Sequence, residues 1–140
     1  MTREQFIQRL LEVFSEETGD VFSKGLEKGW LEFEDKLYRD DDIARKNIAR
    51  IIHMYLLKEK GIPDLQDISK AGELRDLYDC RICANQVAQI YLRGIMGAKE
   101  LSENSVFLWF DLNGEDNPSS IEEYLLRAYR ILNDIKGRED

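Results

Sequence analysis

The sequence predicts an all-α fold, a single compact bundle of helix-loop-helix units with room for one very short strand pair in the loops. Apolar residues recur at intervals of three and four along most of the chain, which is the spacing of an amphipathic helix. Glycine, proline and capping residues separate these apolar segments. A chain of 140 residues with 43% hydrophobic content is long enough to build a core. Residues 1–140 are therefore predicted to form one domain.

Three helices are expected in the first half of the chain, at about residues 2–15, 19–28 and 43–56. Thr2 is the candidate N-cap of the first helix, because its hydroxyl can accept a hydrogen bond from a free backbone N–H group. Gly29 is expected to stop the second helix, since glycine adopts the left-handed conformation that ends many helices. A loop at residues 30–41 follows. Its aspartates 40–42 lie where the positive end of the third helix favours negative charge.

Two further helices are expected, at about residues 69–93 and 118–135. Gly61 and Pro63 break the helical pattern before the first of them. Pro118 opens the second, because proline is favoured in the first turn of a helix. The apolar residues 106–110, with the sequence VFLWF, predict a brief strand or a buried hydrophobic plug. The final residues 136–140 are expected to fray.

The chain also shows a degenerate internal repeat. In each unit a short helix ends at a glycine followed by an apolar residue, and after a loop a second helix begins at a capping residue. The glycine pair is Gly29-Trp30 in one unit and Gly94-Ile95 in the other. The units are placed at residues 19–62 and 63–136, and residues 1–18 look like the second half of a third unit.

The starts of the second helices carry a family resemblance. Residues 2–6 read TREQF, residues 43–47 read IARKN, and residues 119–123 read SSIEE. This pattern resembles the S-layer homology repeat, in which a Thr-Arg-Ala-Glu-like motif begins the second helix. The third copy departs from the family, because Ser120 stands where the arginine is expected. That departure puts a third binding groove in doubt.

The resemblance implies a pseudo-threefold helical bundle whose grooves bind an anionic, often pyruvylated, polysaccharide of the bacterial cell wall. It implies that Arg45 and Arg3 hold the acid, that Trp30 beside Gly29 offers a face for stacking a sugar, and that Glu122 occupies the motif's acidic position. The chemistry is reasonable, because a guanidinium at a helix N-terminus adds a forked cation to exposed N–H groups. The expected function is thus a non-catalytic anchoring module.

Other interpretations of the same residues stay open. Arg45 can pair with aspartates 40–42 on a solvated surface, where such a pair contributes about 0–1 kcal/mol. Trp30 can belong to the core. The alternative function is a protein-interaction or regulatory domain that kept the fold and lost polysaccharide binding. Such a module should expose an apolar patch, for which residues 107–110 are the candidates.

Composition restricts the partners. A net charge of −8 argues against nucleic acid and anionic lipid, and no apolar run approaches the roughly 20 residues of a membrane span. The N-terminal sequence does not read as a signal peptide, so the chain as written is expected in the cytoplasm, or at the cell surface if an upstream signal was removed. The incomplete first unit also makes a homodimer a hypothesis, since a second copy would complete it.

Residues with catalytic or metal-binding chemistry give no expected site, and no enzyme, metal or cofactor is predicted. Cys80 and Cys83 form a CxxC, which is a redox pair or half of a zinc site in other proteins. Here they fall in a predicted helix and are expected to be two partly buried free thiols. His53 lacks a nucleophilic partner. Residues 111–122 resemble a calcium loop in spacing, but Asp116 stands at the position of its required glycine.

Overall fold

The computed structural model describes residues 1–17, 19–100 and 107–139. These residues form a mostly α-helical fold with a small two-stranded sheet, which confirms the predicted fold class. The helices are α1 (Arg3–Val13), α2 (Ser23–Lys28), α3 (Phe33–Leu37), α4 (Arg45–Met54), α5 (Ala84–Leu92) and α6 (Pro118–Glu139). Strands β1 (Lys99–Glu100) and β2 (Leu108–Trp109) pair antiparallel. None of the helices in the described ranges is long and apolar enough to cross a membrane.

The start of α1 follows from its capping residues. The backbone N–H of Gln5 donates to Thr2 Oγ1 at 3.1 Å, and the backbone N–H of Thr2 donates to Gln5 Oε1 at 2.9 Å. This reciprocal capping box satisfies two N–H groups that the helix itself cannot pair. The prediction of Thr2 as the N-cap is confirmed.

Two glycines end helices in the same way. Gly29 has φ of 85° and Gly94 has φ of 74°, both in the left-handed region. The residue after each closes the turn, because Trp30 N–H donates to Gly25 O at 3.0 Å and Ile95 N–H donates to Ile90 O at 3.1 Å. Trp30 and Ile95 are both buried. The shared closure is a structural likeness between the two proposed units, whose boundaries stay a prediction.

The core lies where α4 packs on α5 and where α1 packs on α6. Apolar faces at helical spacing put Phe6, Leu10, Ile48 and Ile52 in this core with almost no exposed surface. After Met54 the helix continues as one π-helical turn, Tyr55–Glu59. The fold therefore buries the apolar stripes that the sequence pattern predicted for α1 and α4.

Four regions differ from the prediction. α2 begins at Ser23 instead of about residue 19. α3 lies in the expected loop, where Glu32 and Asp35 cap its first turn. Of the helix expected at residues 69–93, only α5 is α-helical. The segment before it contains 3₁₀ turns at Ser69–Glu73, Leu77–Asp79 and Arg81–Cys83. α6 continues to Glu139, beyond the expected end at residue 135, and the expected fraying of residues 136–140 stays a prediction.

Long-range contacts explain the loss of the long helix. The carboxylate of Asp76 accepts hydrogen bonds from the backbone N–H groups of Phe110, Asp111 and Leu112 at 2.7, 2.8 and 3.2 Å. These bonds fasten the 69–83 segment to the β2 segment, and a continuous helix would break them. Residues 108 and 109 form the expected brief strand, while Val106 lies outside the described residues.

Candidate functional site

Arg45, the main residue expected to hold a ligand, is buried inside the protein. It begins α4, its backbone N–H donates to Gly114 O at 2.8 Å, and it is 1% exposed. Its side chain donates to four acceptors of the same chain: Phe110 O at 2.8 Å, Gly97 O at 2.7 Å, Tyr124 Oη at 3.0 Å and the carboxylate of Asp116. An exposed position for Arg45 is therefore wrong, and so is its pairing with aspartates 40–42. A ligand carboxylate would have to displace Asp116.

Asp116 is the counter-charge that makes this burial tolerable. Burial opposes its ionisation, but hydrogen bonds from Tyr124 and Lys99 and the charge of Arg45 hold the pKa of its carboxyl below the usual value. The Arg45 guanidinium also lies over the ring of Phe110, 4.7 Å from the centroid. The pair thus ties the start of α4 to the segment before α6.

A groove beside this pair runs along the start of α6. It encloses about 300 Å³ and is lined by Arg45, Gly97, Ala98, Lys99, Ser120, Glu123, Tyr124 and Arg127. We call it the α6 groove. Lys99 Nζ lies 3.0 Å from the Asp116 carboxylate, and Arg127 Nε lies 3.4 Å from Glu123. Both of its accessible cations are already paired with acids.

Arg3 makes an analogous contact at the start of α1. Its guanidinium donates to Asp35 Oδ1 at 3.0 Å, and Asp35 is fully buried. Arg50 on α4 binds the same carboxylate through two hydrogen bonds of 3.0 and 2.5 Å. Arg3 and Arg45 thus each pair with a buried aspartate later in the chain, Asp35 on α3 and Asp116 before α6, which is a second likeness between the proposed units.

The remaining predicted residues have other roles. Trp30 is 1% exposed and packs edge-on against Tyr55, with ring centroids 4.9 Å apart, so it offers no stacking face. Gly29 ends α2. Glu122 accepts hydrogen bonds from Arg9, one of them at 2.8 Å. Arg45, Arg3 and Glu122 line three different grooves, so the five predicted residues do not form one site.

The most chemically distinctive groove was not predicted. It encloses about 270 Å³ between the starts of α3 and α4 and the turn that precedes α5. It is lined by three cations, two acids, a disulfide and three other side chains: Arg3, Lys46, Arg50, Glu32, Glu34, Cys80, Cys83, Asn47, Ile82 and Gln86. We call it the cysteine groove. Cys80 and Cys83 are bonded to each other, so the prediction of two free thiols is wrong.

The two acids of the cysteine groove lie close together. A hydrogen bond with Glu34, together with burial, raises the pKa of the Glu32 carboxyl above its ordinary value. Clusters of carboxyls with perturbed pKa values are more frequent at functional sites than elsewhere. The sequence signal for this groove was the CxxC, which was interpreted as part of a continuous helix.

Large apolar side chains are exposed next to this groove. Phe33, Leu37 and Tyr38 on and after α3 are 72%, 62% and 47% exposed. We call these three residues the α3 ridge. Phe33 lies between Glu32 and Glu34, so the ridge begins at the rim of the cysteine groove. Ile82 in the groove is 94% exposed.

The apolar patch expected at residues 107–110 is wrong in most of its members. Phe110 is fully buried, Leu108 and Trp109 are half-buried, and Phe107 is 46% exposed. The Arg75 guanidinium covers the ring of Phe107 at 3.9 Å from its centroid. Phe33 and Leu37 on α3 are therefore more exposed than any member of the expected patch.

The other chemistry-bearing residues make contacts within the protein. His53 is 6% exposed, and its Nε2 lies 2.7 Å from Asp64 Oδ1. In the expected calcium loop, Asp111 lies 3.3 Å from Lys99 Nζ and Asp116 binds Arg45. Within residues 1–17, 19–100 and 107–139 no group of three or more His, Cys, Asp or Glu side chains is arranged to hold a metal ion.

Comparison of the chain with models of protein families, with curated proteins and with solved structures found no match. The resemblance to S-layer homology repeats stays a prediction that depends on residues 2–6, 43–47 and 119–123.

Proposed function

We propose that this chain is a binding module that recognises a protein partner through the cysteine groove and the α3 ridge. The observation that carries the proposal is the exposure of Ile82, at 94%, in a groove with charges of both signs, together with that of Phe33 and Leu37, at 72% and 62%, on the helix that begins at its rim. Contiguous exposed apolar residues rimmed by polar groups are typical of protein interaction sites. Ionic groups around such a patch give orientation and specificity.

The contacts of the two arginines support a protein partner over a sugar acid. Arg45 uses its donors on Phe110, Gly97, Tyr124 and Asp116, and Arg3 binds a fully buried carboxylate. Removing either arginine would leave its aspartate with one cation instead of two, Arg50 for Asp35 and Lys99 for Asp116, and the loss of a partner from a buried ion pair is destabilising. Arg3 and Arg45, which were expected to bind a ligand, therefore stabilise the fold instead.

Site-specific crosslinking tests the proposal. A photoreactive amino acid replaces Ile82, and the protein is irradiated in an extract of the source organism. We expect a discrete crosslinked protein whose yield falls severalfold when Leu37→Ser is added. The matched control is Leu65→Ser, another exposed leucine that lies outside the ridge and the groove.

Two outcomes of the crosslinking experiment would contradict the proposal. Crosslinking that is identical in the Leu37→Ser and Leu65→Ser proteins would contradict binding at the α3 ridge. Binding at the α3 ridge would also be contradicted if a photoreactive residue at exposed Asn133, on α6, captured the same proteins with equal yield. Circular dichroism on each variant establishes that the helices are intact.

A second candidate function, binding of an anionic cell-wall polysaccharide, is favoured by the α6 groove. Three cations, Arg45, Lys99 and Arg127, line it with one acid, Glu123, and a second acid, Asp116, pairs with Arg45 and Lys99, so the local charge is positive although the chain carries a net charge of −8. Ser120, in the first turn of α6, lies in the same groove, at the positive end of the helix dipole. A sugar-borne carboxylate is the ligand that this local charge would select.

Calorimetric titration with pyruvylated and unpyruvylated polysaccharide fragments distinguishes the two functions. If the second function holds, only the pyruvylated fragment binds, and Lys99→Ala weakens binding while Lys70→Ala, on another surface, leaves it unchanged. Arg45→Ala is unsuitable here because Arg45 is buried. Absence of binding to both fragments excludes the sugar and leaves the protein-binding function.

A further inference from the structure

We propose that Cys80 and Cys83 form a thiol-disulfide exchange site, at which a thiol or disulfide entering the cysteine groove exchanges two electrons with this chain. The inference goes beyond partner binding, and it does not depend on which protein the groove recognises.

The disulfide lies where it contributes little stability and where another molecule can reach it. The chain has two cysteines, and they close a loop of only four residues. Stabilisation by a disulfide grows with the length of the loop it closes, so this bond contributes little to the stability of the fold. Both cysteines line the cysteine groove, and Ile82 between them is 94% exposed. The bond therefore lies at a place where another molecule can reach it.

The two sulfurs are not equivalent. Cys80 is half-buried, whereas Cys83 is 5% exposed. An incoming reagent meets Cys80 first, and Cys83 is held behind it to complete the exchange. This division between an attacking and a resolving cysteine is what a two-step exchange requires.

Local charge favours the thiolate that exchange needs. Cys83 is the N-cap of the nine-residue helix α5, so the positive end of that helix favours the thiolate of the resolving cysteine. Lys46 lines the same groove, and no ion pair of its side chain is recorded among the described residues. A helix N-terminus and a neighbouring lysine both lower the pKa of a thiol. Glu32 and Glu34 oppose this effect from the other side of the groove.

The chemistry balances without a metal or cofactor. In the reduced protein the Cys80 thiolate attacks one sulfur of an incoming disulfide R–S–S–R. A Cys80–S–R bond forms, the incoming S–S bond breaks, and one RS⁻ leaves and takes up a proton. The Cys83 thiolate then attacks the Cys80 sulfur, which restores the Cys80–Cys83 bond and releases the second RS⁻. Two electrons pass to the incoming disulfide, and two molecules of a thiol such as glutathione reverse the sequence.

Oxidised glutathione is a suitable probe for the full-length chain. The reduced protein is mixed with it at pH 6, quenched with acid at intervals, and analysed by intact mass and peptide mapping. Cys83→Ser should accumulate a mixed disulfide at Cys80, whereas Cys80→Ser should react more slowly at Cys83. Lys46→Ala should slow capture at Cys80, and Lys70→Ala, which changes a lysine outside the groove, should not.

The expected rate at Cys80 is about tenfold above that of an unperturbed thiol at the same pH. A wild-type chain that reacts no faster than free cysteine would overturn the proposal, as would a disulfide that stays closed in excess reduced glutathione. Capture at Cys83 in preference to Cys80 would overturn the assigned order. If a serine variant fails to fold, the transient mixed disulfide of the wild-type chain identifies the attacking sulfur.

Discussion

Arg45 and Asp116 form a hydrogen-bonded ion pair whose side chains are only 2% and 9% exposed. The pair joins the first residue of α4 to the segment before α6, 71 residues away in sequence. Since a guanidinium has five N–H donors, its burial requires several acceptors, and the carbonyls of Phe110 and Gly97 supply two of them. Arg45 thus holds together segments that are distant in sequence.

The first prediction follows from that burial. Arg45→Met should lower the free energy of unfolding by about 3 kcal/mol, because Asp116 loses its buried partner and keeps only Lys99, whose side chain is 39% exposed. Urea denaturation at pH 7, followed by circular dichroism, measures the change. Lys70→Met is the control, since Lys70 is exposed. Equal midpoints for the two variants would contradict the buried pair.

Asp35 should behave as a shared anchor for Arg3 and Arg50. Arg50 makes two hydrogen bonds to this carboxylate and is 7% exposed, whereas Arg3 makes one and is 13% exposed. Arg50→Met should therefore destabilise the protein more than Arg3→Met, and Asp35→Asn should cost on the order of 3 kcal/mol. Urea denaturation of the three variants gives the ranking. A larger loss from Arg3→Met than from Arg50→Met would reverse it.

Local signals made much of the fold predictable. Thr2 and Gln5 lie three residues apart before an apolar helix face, which is enough to place the start of α1. Gly29 and Pro118 mark helix boundaries for equally local reasons, since each suits one backbone conformation. The apolar stripe of α4 identifies its buried face. Such features need no knowledge of what the chain packs against.

The missed features depend on residues far away in sequence. Leu74 and Leu77 have the spacing of a helix. However, the carboxylate of Asp76 accepts hydrogen bonds from N–H groups 34–36 residues away and holds this segment in 3₁₀ turns. The role of Arg45 was hidden for the same reason, because Asp116 comes near it only in the folded chain. The CxxC spacing is the same in a helix with free thiols and in a disulfide turn. Sequence spacing alone therefore could not reveal the cysteine groove.

Gly29 provides a test of backbone conformation separate from packing. Its φ is 85°, and a Cβ added there would meet nothing within 4 Å, so Gly29→Ala should cost about 1 kcal/mol through the backbone alone. Gly72→Ala is the matched control, because Gly72 has the same open space without a positive φ. Thermal unfolding measures both variants. Equal melting temperatures would show that the left-handed end of α2 is not required.

Glu16 should make stability depend on acid pH. Hydrogen bonds from Lys24 at 2.6 Å and Lys60 at 2.7 Å lower the pKa of its carboxyl from 4.5 to about 2, although burial opposes the shift. Because the pKa is lower in the folded protein than in the unfolded chain, the folded protein binds the proton less tightly. The stabilisation is therefore complete above about pH 4.5 and is lost as the pH falls toward 2.

Comparison of the wild-type protein with Glu16→Gln isolates this effect, because the other carboxyls titrate in both proteins. The difference in free energy of unfolding should be largest above pH 5, at no more than about 3 kcal/mol, and should shrink toward pH 2. Urea denaturation across pH 2–6 measures it. Glu17→Gln, at a neighbouring residue with no recorded ion pair among the described residues, should show no such trend. A difference that stayed constant across this range would mean that Lys24 and Lys60 do not stabilise the charged form of Glu16.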